Sequence, residues 1–293
     1  MNLAAVAVVA SLMSDAFRPY EFEFFRNGLL VATIAGALCG LIGCYVVLRS
    51  MSYIGHGLAH SIFGGFAASS LLGINVFLGA GVWGLASALL IGGITRRRPV
   101  GSDAAIGVVT TASFALGLAL IQVFGSTGQN ADAALFGNVL GVSTTDVWVI
   151  IAVTSLTVAV IAASYRRLLF VTFDPDVAEV SGVNVAVTDG VLMGLLAAAI
   201  LATMNVMGVT LIAAALVLPA VVARLLTSTF STMLWLATVI GAATGFVGMN
   251  ASYHLDVASG PVIVLAGAIV FVLAFAFAGA AGRRRVAHVG HVG

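Results

Sequence analysis

His56 and His60 lie in a run of apolar and small residues that is long enough to cross a membrane. The run extends from Met51 to Leu72 and contains no Asp, Glu, Lys or Arg. A spacing of four residues places both imidazoles on one face of a helix, one turn apart. Imidazole nitrogens are ligands of zinc and suit other divalent transition metals. Because ionisable side chains at bilayer depth usually face a bundle interior or a water-filled path, the pair indicates a metal path.

Other functions for the two histidines are open at this point. They could hydrogen-bond to neighbouring helices and only stabilise the packing. A metalloenzyme would need a third ligand and a general base, and this run has no acidic residue. A proton-coupled secondary transporter would be built from inverted halves with paired broken helices, which the hydropathy pattern lacks. We predict the metal path, because Gly64 and Ala68 continue the same face and would leave room for water or an ion.

The composition requires lipid as the solvent for most of the chain. Of the 293 residues, 61% are apolar and 8% are charged, whereas a soluble domain has about 25% charged residues. A soluble fold of this length could not bury so much apolar surface. The net charge of +1 gives no electrostatic footprint for nucleic acid. We therefore predict an integral membrane protein whose partners include the lipid bilayer and exclude nucleic acid.

Nine segments are long and apolar enough to be membrane-spanning helices, at about 20 residues per crossing. We predict an all-α integral membrane protein with about nine transmembrane helices, within a range of eight to ten. The predicted domains are an external or interfacial N-terminal segment (1–26), a single transmembrane domain (27–282) and a cytoplasmic tail (283–293). The nine segments are 27–49, 52–73, 75–95, 103–125, 145–165, 188–207, 208–226, 231–251 and 260–281.

The arginines predict the orientation, because basic loops stay on the cytoplasmic side of a membrane. Ten of the twelve arginines fall on one side when Arg49 is placed inside. Only Arg18 and Arg26 fall on the other side, in a segment that also contains acidic residues. An odd number of crossings then puts the N-terminus outside and the C-terminus in the cytoplasm.

A short helix is predicted in the cytoplasmic connection between the fifth and sixth segments. Asp174 suits its N-cap, Pro175 its first turn and Gly182 its C-terminal stop. These signals predict a helix at about 174–187 on the cytoplasmic face. Asp189 follows at the start of the next segment, where an acidic residue is typical of a helix cap.

Six sequence blocks resemble the membrane permease subunit of bacterial ABC importers for zinc, manganese or iron. The resemblance covers the chain from about residue 25 to residue 280, and the blocks occur in the same order on a matching hydropathy profile. Each block is weak alone, but the ordered set is specific. The blocks are 47–60 (VLRSMSYIGHGLAH), 103–107 (DAAIG), 135–143 (LFGNVLGVS), 173–182 (FDPDVAEVSG), 207–220 (MGVTLIAAALVLPA) and 258–261 (ASGP).

The resemblance implies a permease of the type II ABC importer architecture in the bacterial inner membrane. It implies import of a divalent metal ion by alternating access, with zinc or manganese as the cargo and iron as a further candidate. The implied partners are a second copy of the chain, two cytoplasmic ATP-binding subunits and an extracytoplasmic metal-binding protein. The chain has no glycine-rich phosphate loop and no Lys to serve one, so we predict a transport subunit that is not an enzyme and holds no cofactor.

The resemblance also assigns the site residues. His56 and His60 would be the metal residues. His56 stands where the family usually has Asp, and two imidazoles favour zinc over harder ions. The segment that would dock into the ATP-binding subunits corresponds to Asp174, Asp176, Ala178, Glu179 and Gly182.

Overall fold

The chain folds into helices throughout the residues that the structure, a computed structural model, describes: 18–96, 102–124, 135–137 and 141–289. The predicted all-α class is confirmed for these residues. Within the described ranges, a 3-10 turn at Arg18–Glu21 precedes ten α-helices whose bounds are given. The helices are α1 (Glu23–Leu48), α2 (Ser52–Leu71), α3 (Val76–Arg96), α4 (Ser102–Phe124), α5 (Thr144–Phe173), α6 (Pro175–Val180), α7 (Val185–Met207), α8 (Ile212–Leu226), α9 (Phe230–Leu255) and α10 (Ser259–Val289).

Each of the nine predicted segments overlaps one of the longer helices, and the remaining helix is the short α6. Within the described residues, six helices are long and apolar enough to cross a membrane, and α3 and α8 contain shorter apolar stretches. The number of crossings and the orientation stay predictions. α10 continues to Val289, so much of the predicted tail 283–293 prolongs this helix. Residues 1–17 of the predicted N-terminal segment lie outside the described residues.

Helix α1 is the core of the fold and is packed closely against α9. A Cβ added to Gly36 would lie 2.0 Å from the Gly241 carbonyl oxygen, and the reverse distance is also 2.0 Å. Gly40 and Gly245 make similar backbone contacts with the opposite helix. Glycine is needed at these positions, because only small residues let two helix backbones approach so closely in lipid.

Helices α2, α3 and α4 form a second closely packed group. Gly65 on α2 leaves room for Trp83 on α3, since a Cβ there would lie 2.4 Å from the Trp83 Cβ. The Trp83 indole Nε1 donates to Ser113 Oγ on α4 at 3.0 Å. Gly117 on α4 approaches the backbone of α2. The helix that carries both histidines is therefore held between two neighbours by glycine contacts, and one hydrogen bond joins those two neighbours to each other.

A connection of only three residues joins α1 to the histidine helix α2. Ser50 N–H donates to the Val47 carbonyl at 3.2 Å, and Met51 N–H donates to the Val46 carbonyl at 2.8 Å. These are the two hydrogen bonds of a Schellman motif. Ser50 has a φ of +55°, at the left-handed position that glycine usually occupies. The beginning of α2 is thus fixed to the end of α1.

The connection that carries the predicted cytoplasmic helix differs from expectation at both ends. α5 has 30 residues and is about 45 Å long at 1.5 Å per residue, so it continues well past the predicted end at 165. α6 has six residues, which corrects the predicted range 174–187. The chain turns at Gly182, whose φ is +84°, and residues 185–187 already belong to α7.

The end of α7, the start of α10 and the short segment 135–137 meet in one junction. Gly137 and Gly208 have φ values of +82° and +74°, and a Cβ on Gly208 would lie 2.4 Å from a carbonyl oxygen of that segment. Ser259 Oγ donates to the Val206 carbonyl at 2.6 Å. Only glycine combines these dihedrals with such close backbone approach, so the junction fixes the end of α7 that lies farthest from α6.

Candidate functional site

The two histidines meet as their spacing predicts. His56 Nε2 and His60 Nε2 are 3.1 Å apart, and the rings lie edge to face with centroids 4.5 Å apart. His56 is exposed in the single chain, and His60 is half-buried. The two Nε2 atoms therefore converge on one point at the edge of α2, within reach of an ion or of another chain.

The separation of the two nitrogens is compatible with binding to one ion. At a metal–nitrogen distance of about 2.05 Å, two ligands are about 2.9 Å apart for a right angle and about 3.3 Å apart for a tetrahedral angle. The observed 3.1 Å lies between these values. Within the described residues, no group of three or more His, Cys, Asp or Glu side chains could hold a metal ion. One chain thus offers two imidazoles.

The ring of His60 is oriented by aromatic packing. Its centroid lies 4.7 Å from that of Phe114 on α4, at an interplanar angle of 66°, and Phe114 in turn packs on Phe63 at 5.1 Å. His60 Nδ1 is buried and has no hydrogen-bond partner among the described residues. Metal-binding histidines usually donate this second N–H to an acceptor, which raises their basicity. His60 lacks that support in the described part of the chain, so it is suited to weak binding.

At Gly64, the face beyond the histidines contacts α4 and does not leave the room that we predicted, whereas Ala68, one turn further along, is partly exposed. A Cβ on Gly64 would lie 2.5 Å from the Ser113 carbonyl oxygen. A Cβ on Gly117 would lie 3.0 Å from the Gly64 Cα. Gly64 is therefore a contact between α2 and α4. The sequence pattern does not distinguish a residue that lines an open path from one at a close helix–helix contact, because small residues occur in both.

The predicted docking residues surround the short helix α6. Asp174 caps it by accepting a hydrogen bond from Val177 N–H at 3.0 Å, Pro175 occupies its first turn, and Gly182 ends it. The predicted caps are thus confirmed. Ala178 is fully buried, whereas Asp176, Glu179 and Gly182 are exposed.

Two apolar side chains of α6 are also exposed and were missing from our predicted set. Val177 is 49% exposed, and Val180 is 90% exposed. Exposed apolar residues beside acidic ones on a short helix are typical of a protein contact, although single ones are common on any surface. α6 packs on α5 and α7, while the histidines pack towards α4. The two predicted groups of residues therefore form separate sites.

Asp189 has a different role from the predicted helix cap. Asn184 caps α7 by accepting a hydrogen bond from Val187 N–H at 3.0 Å. Asp189 lies one turn further along and pairs with Arg49, which ends α1. The cap was visible in the sequence as an Asn just before the apolar run. The ion pair was not, because it joins residues 140 positions apart.

A buried carboxylate, that of Asp146, was not identified in our sequence analysis. Asp146 is 6% exposed and forms a capping box with Ser143 at the start of α5. Its other oxygen accepts a hydrogen bond from Asn205 Nδ2 near the end of α7, at 2.6 Å. The capping box has a recognisable sequence signature. The link to Asn205 depends on how α5 and α7 pack, which no local pattern encodes.

Comparison with known proteins assigns the chain to a family. The sequence profile of the ABC 3 transport family matches residues 21–278. The matched range contains both histidines, the Arg49–Asp189 pair and helix α6. The chain belongs to the ABC 3 transport family. The resemblance found in the sequence is thereby confirmed, and the family is one of multi-pass transport permeases and not of catalytic subunits.

Individual relatives cover almost the whole permease. The manganese transport system membrane protein MntC of Listeria innocua is 37% identical over 258 residues, which cover 88% of this chain and 92% of that protein. A Haemophilus influenzae protein described as an iron transport system membrane protein is 34% identical, covering 88% and 95% of the two chains. Among solved structures, PsaBC from Streptococcus pneumoniae in complex with Fab aligns with a TM-score of 0.82 at 33% identity, covering 91% of this chain and 95% of that one.

Proposed function

We propose that this permease is the membrane subunit of an ATP-driven importer that moves a divalent transition-metal ion into the cell, and that His56 and His60 lie on the path of the ion. The relatives named for manganese and iron transport support the class of cargo. The observation that carries the proposal is the convergence of the two Nε2 atoms at 3.1 Å. Ionisable side chains within membrane-spanning segments commonly bind or pass an ion.

The ion path is completed by a second copy of the permease. His56 is exposed in the single chain, so a partner can approach its imidazole. Two-fold symmetry places the same patch of both copies face to face. Two imidazoles from each copy then supply four nitrogens, which is the ligand number of a tetrahedral zinc shell.

Two cytoplasmic ATP-binding subunits dock on α6. The proposed contact consists of the acidic side chains Asp176 and Glu179 and the exposed Val180, carried on a helix whose two ends are fixed by Asp174 and Gly182. Ala178 holds the helix against the fold, since its side chain is fully buried. An extracytoplasmic metal-binding protein delivers the ion from the other side of the bacterial inner membrane.

Transport proceeds by alternating access. The permease exposes the histidine pair to the outside and then to the cytoplasm, and ATP-driven closure of the two docked subunits sets which state is favoured. A transport site must also release its cargo. The Nδ1 of His60 fits that requirement, because within the described residues it has no acceptor and such an acceptor would raise the affinity of the imidazole for a metal.

The identity of the ion is decided by the ligands. The names of the relatives favour manganese and iron, whereas two imidazoles without a carboxylate favour zinc over manganese. We propose zinc or manganese as the cargo, with iron as a further candidate. Competition between these ions during uptake, in the presence of all three, ranks them directly.

The test is uptake by the reconstituted complex. The permease with its ATP-binding subunits is placed in liposomes, the metal-binding protein is added with Mn²⁺ or Zn²⁺, and ATP-dependent uptake of each ion is measured. We expect His60→Ala to abolish uptake while the complex still assembles. His254→Ala is the matched control, because His254 is an exposed histidine at the end of α9. Normal uptake by the His60→Ala complex would remove the histidine pair from the path.

The same experiment distinguishes the alternative function, a proton-coupled secondary metal transporter. Such a transporter would take up metal under a pH gradient without the ATP-binding subunits and without ATP. The proposed importer takes up metal only when the ATP-binding subunits are present and ATP is hydrolysed.

A further inference from the structure

Arg49 and Asp189 form an ion pair between the end of α1 and the first turns of α7. The Arg49 side chain is 11% exposed and the Asp189 side chain 30% exposed, so the pair is largely shielded from solvent. An exposed pair contributes little. A shielded pair fixes the geometry of its two partners more strongly, because an unpaired charge at this position is costly.

On one side, the ion pair holds the segment that leads into the histidine helix. Arg49 is the C-cap residue of α1, and only Ser50 and Met51 separate it from α2. Ser50 is held at a φ of +55° by the Schellman motif, and Met51 is buried. A displacement of the Arg49 guanidinium is therefore passed to the first turn of α2, which is one to two turns from His56 and His60.

On the other side, the ion pair holds the helix that follows α6. Gly182 N–H donates to the Glu179 carbonyl and Val183 N–H to the Ala178 carbonyl, both at 3.0 Å. This second Schellman motif turns the chain directly into α7, where Asn184 is the N-cap. Asp189 lies one turn beyond. A displacement of α6 is therefore passed to Asp189 through a short connection that is held by the Schellman motif and by the Asn184 cap.

We infer that the Arg49–Asp189 ion pair is the positioning link through which movement of α6 reaches the histidine helix α2. The inference rests on the proposed function, because it needs α6 to be the docking element and α2 to carry the path. α7 also packs on α1 and α2 directly. The ion pair differs from that packing because it lies near the end of α7 that is closest to α6 and joins α7 directly to the connection between α1 and α2.

The test measures the number of ions taken up per ATP hydrolysed. Six complexes are reconstituted in liposomes and supplied with the metal-binding protein and with Mn²⁺ or Zn²⁺. Four of them are wild type, Arg49→Gln, Asp189→Asn and the double variant Arg49→Gln/Asp189→Asn. The double variant removes the link without leaving an unpaired charge, so its assembly is the least affected. Arg49→Lys keeps the charge, and Arg224→Gln is the matched control, because Arg224 is an exposed arginine in the last turn of α8.

We expect the double variant to assemble, to hydrolyse ATP at about the wild-type rate and to take up at least about fivefold fewer ions per ATP, the lower end of typical coupling between two sites. Each single variant should show the same loss, Arg49→Lys should recover most of it, and Arg224→Gln should show none. A merely structural role would lower uptake and ATP hydrolysis together and leave their ratio unchanged. An assembled double variant with a wild-type ratio would overturn the inference, and so would its failure to assemble, because the pair would then serve folding.

His60→Ala is measured in parallel to separate this inference from the proposed function. If His60→Ala abolishes uptake and the ion-pair variants keep the wild-type ratio, the histidine path stands and the link fails. If His60→Ala takes up metal normally, the proposed path itself fails.

Discussion

The hydrogen bond between Asp146 and Asn205 offers a direct test of how the start of α5 is held against the end of α7. The Asp146 carboxylate accepts hydrogen bonds from Ser143 N–H at 2.8 Å, from Ser143 Oγ at 2.6 Å and from Asn205 Nδ2 at 2.6 Å. The first two bonds cap α5, and the third joins α5 to α7. Replacement of Asp146 by Ala removes all three, whereas replacement of Asn205 by Ala removes only the third.

The expected changes in the free energy of unfolding follow from these hydrogen bonds. Ser143 remains the N-cap of α5 in Asp146→Ala, so loss of the Asp146 half of the capping box is taken to cost no more than a lost N-cap, about 0.5–2 kcal/mol. Loss of a hydrogen bond to a charged group costs about 1.5–3 kcal/mol. We therefore expect Asp146→Ala to lower the free energy of unfolding by about 2–5 kcal/mol, and Asn205→Ala by about 1.5–3 kcal/mol. Because both variants lose the same bond, the double variant should be less destabilised than the sum by about 1.5–3 kcal/mol.

The assay is denaturant or thermal unfolding of the detergent-solubilised permease, followed for wild type, both single variants and the double variant. Asp176→Ala serves as the control, because Asp176 is an exposed acid whose loss should change stability by about 0.5 kcal/mol or less. Single-variant effects that add to within about 0.5 kcal/mol would refute a direct hydrogen bond between the two side chains as the link between α5 and α7.

Three further changes test other parts of the fold. Ser50→Gly should raise the free energy of unfolding by about 0.5–1 kcal/mol, because glycine tolerates the +55° φ better than serine; an unchanged unfolding midpoint would argue against strain there. Gly241→Ala should lower the free energy of unfolding by about 1–3 kcal/mol, since its Cβ would lie 2.0 Å from the Gly36 carbonyl oxygen. Gly194→Ala, which has open space around it, should not destabilise the protein. Equal unfolding midpoints for the two variants would contradict the close contact. Val180→Arg should leave folding intact, because this side chain is 90% exposed. It should reduce copurification of the ATP-binding subunits, which Val180→Thr should largely preserve. Undiminished copurification with Val180→Arg would place docking elsewhere.

Local signals in the sequence predicted the helices well. Each long helix overlaps a predicted apolar segment, and the caps at Asp174 and Gly182 lie where the sequence placed them. These features depend on a few neighbouring residues and on the local preference of Asp, Pro and Gly. The pairing of His56 with His60 is of the same kind, because a spacing of four fixes their geometry once the helix forms.

Contacts between distant segments were the features that the sequence could not supply. Gly64 was predicted to leave room for water and instead contacts the Ser113 backbone. Asp189 was predicted to cap a helix and instead pairs with Arg49. Glycine and aspartate are each compatible with both roles, and the choice is made by which helix lies opposite. That information is contained in the packing of the whole bundle and not in the neighbouring residues.

The packing around α2 restricts how the histidines can move during transport. A shift of α2 alone would have to separate Gly64 from the Ser113 backbone and Gly65 from Trp83, and close-packed contacts of this kind have little room to deform gradually. A shift of α2 together with α3 and α4 leaves those contacts intact. The Gly36–Gly241 contact holds α1 against α9 in the same way. The histidine pair therefore moves with α2, α3 and α4 as one group, and Ser50 and Met51 join this group to α1 next to the ion pair of Arg49.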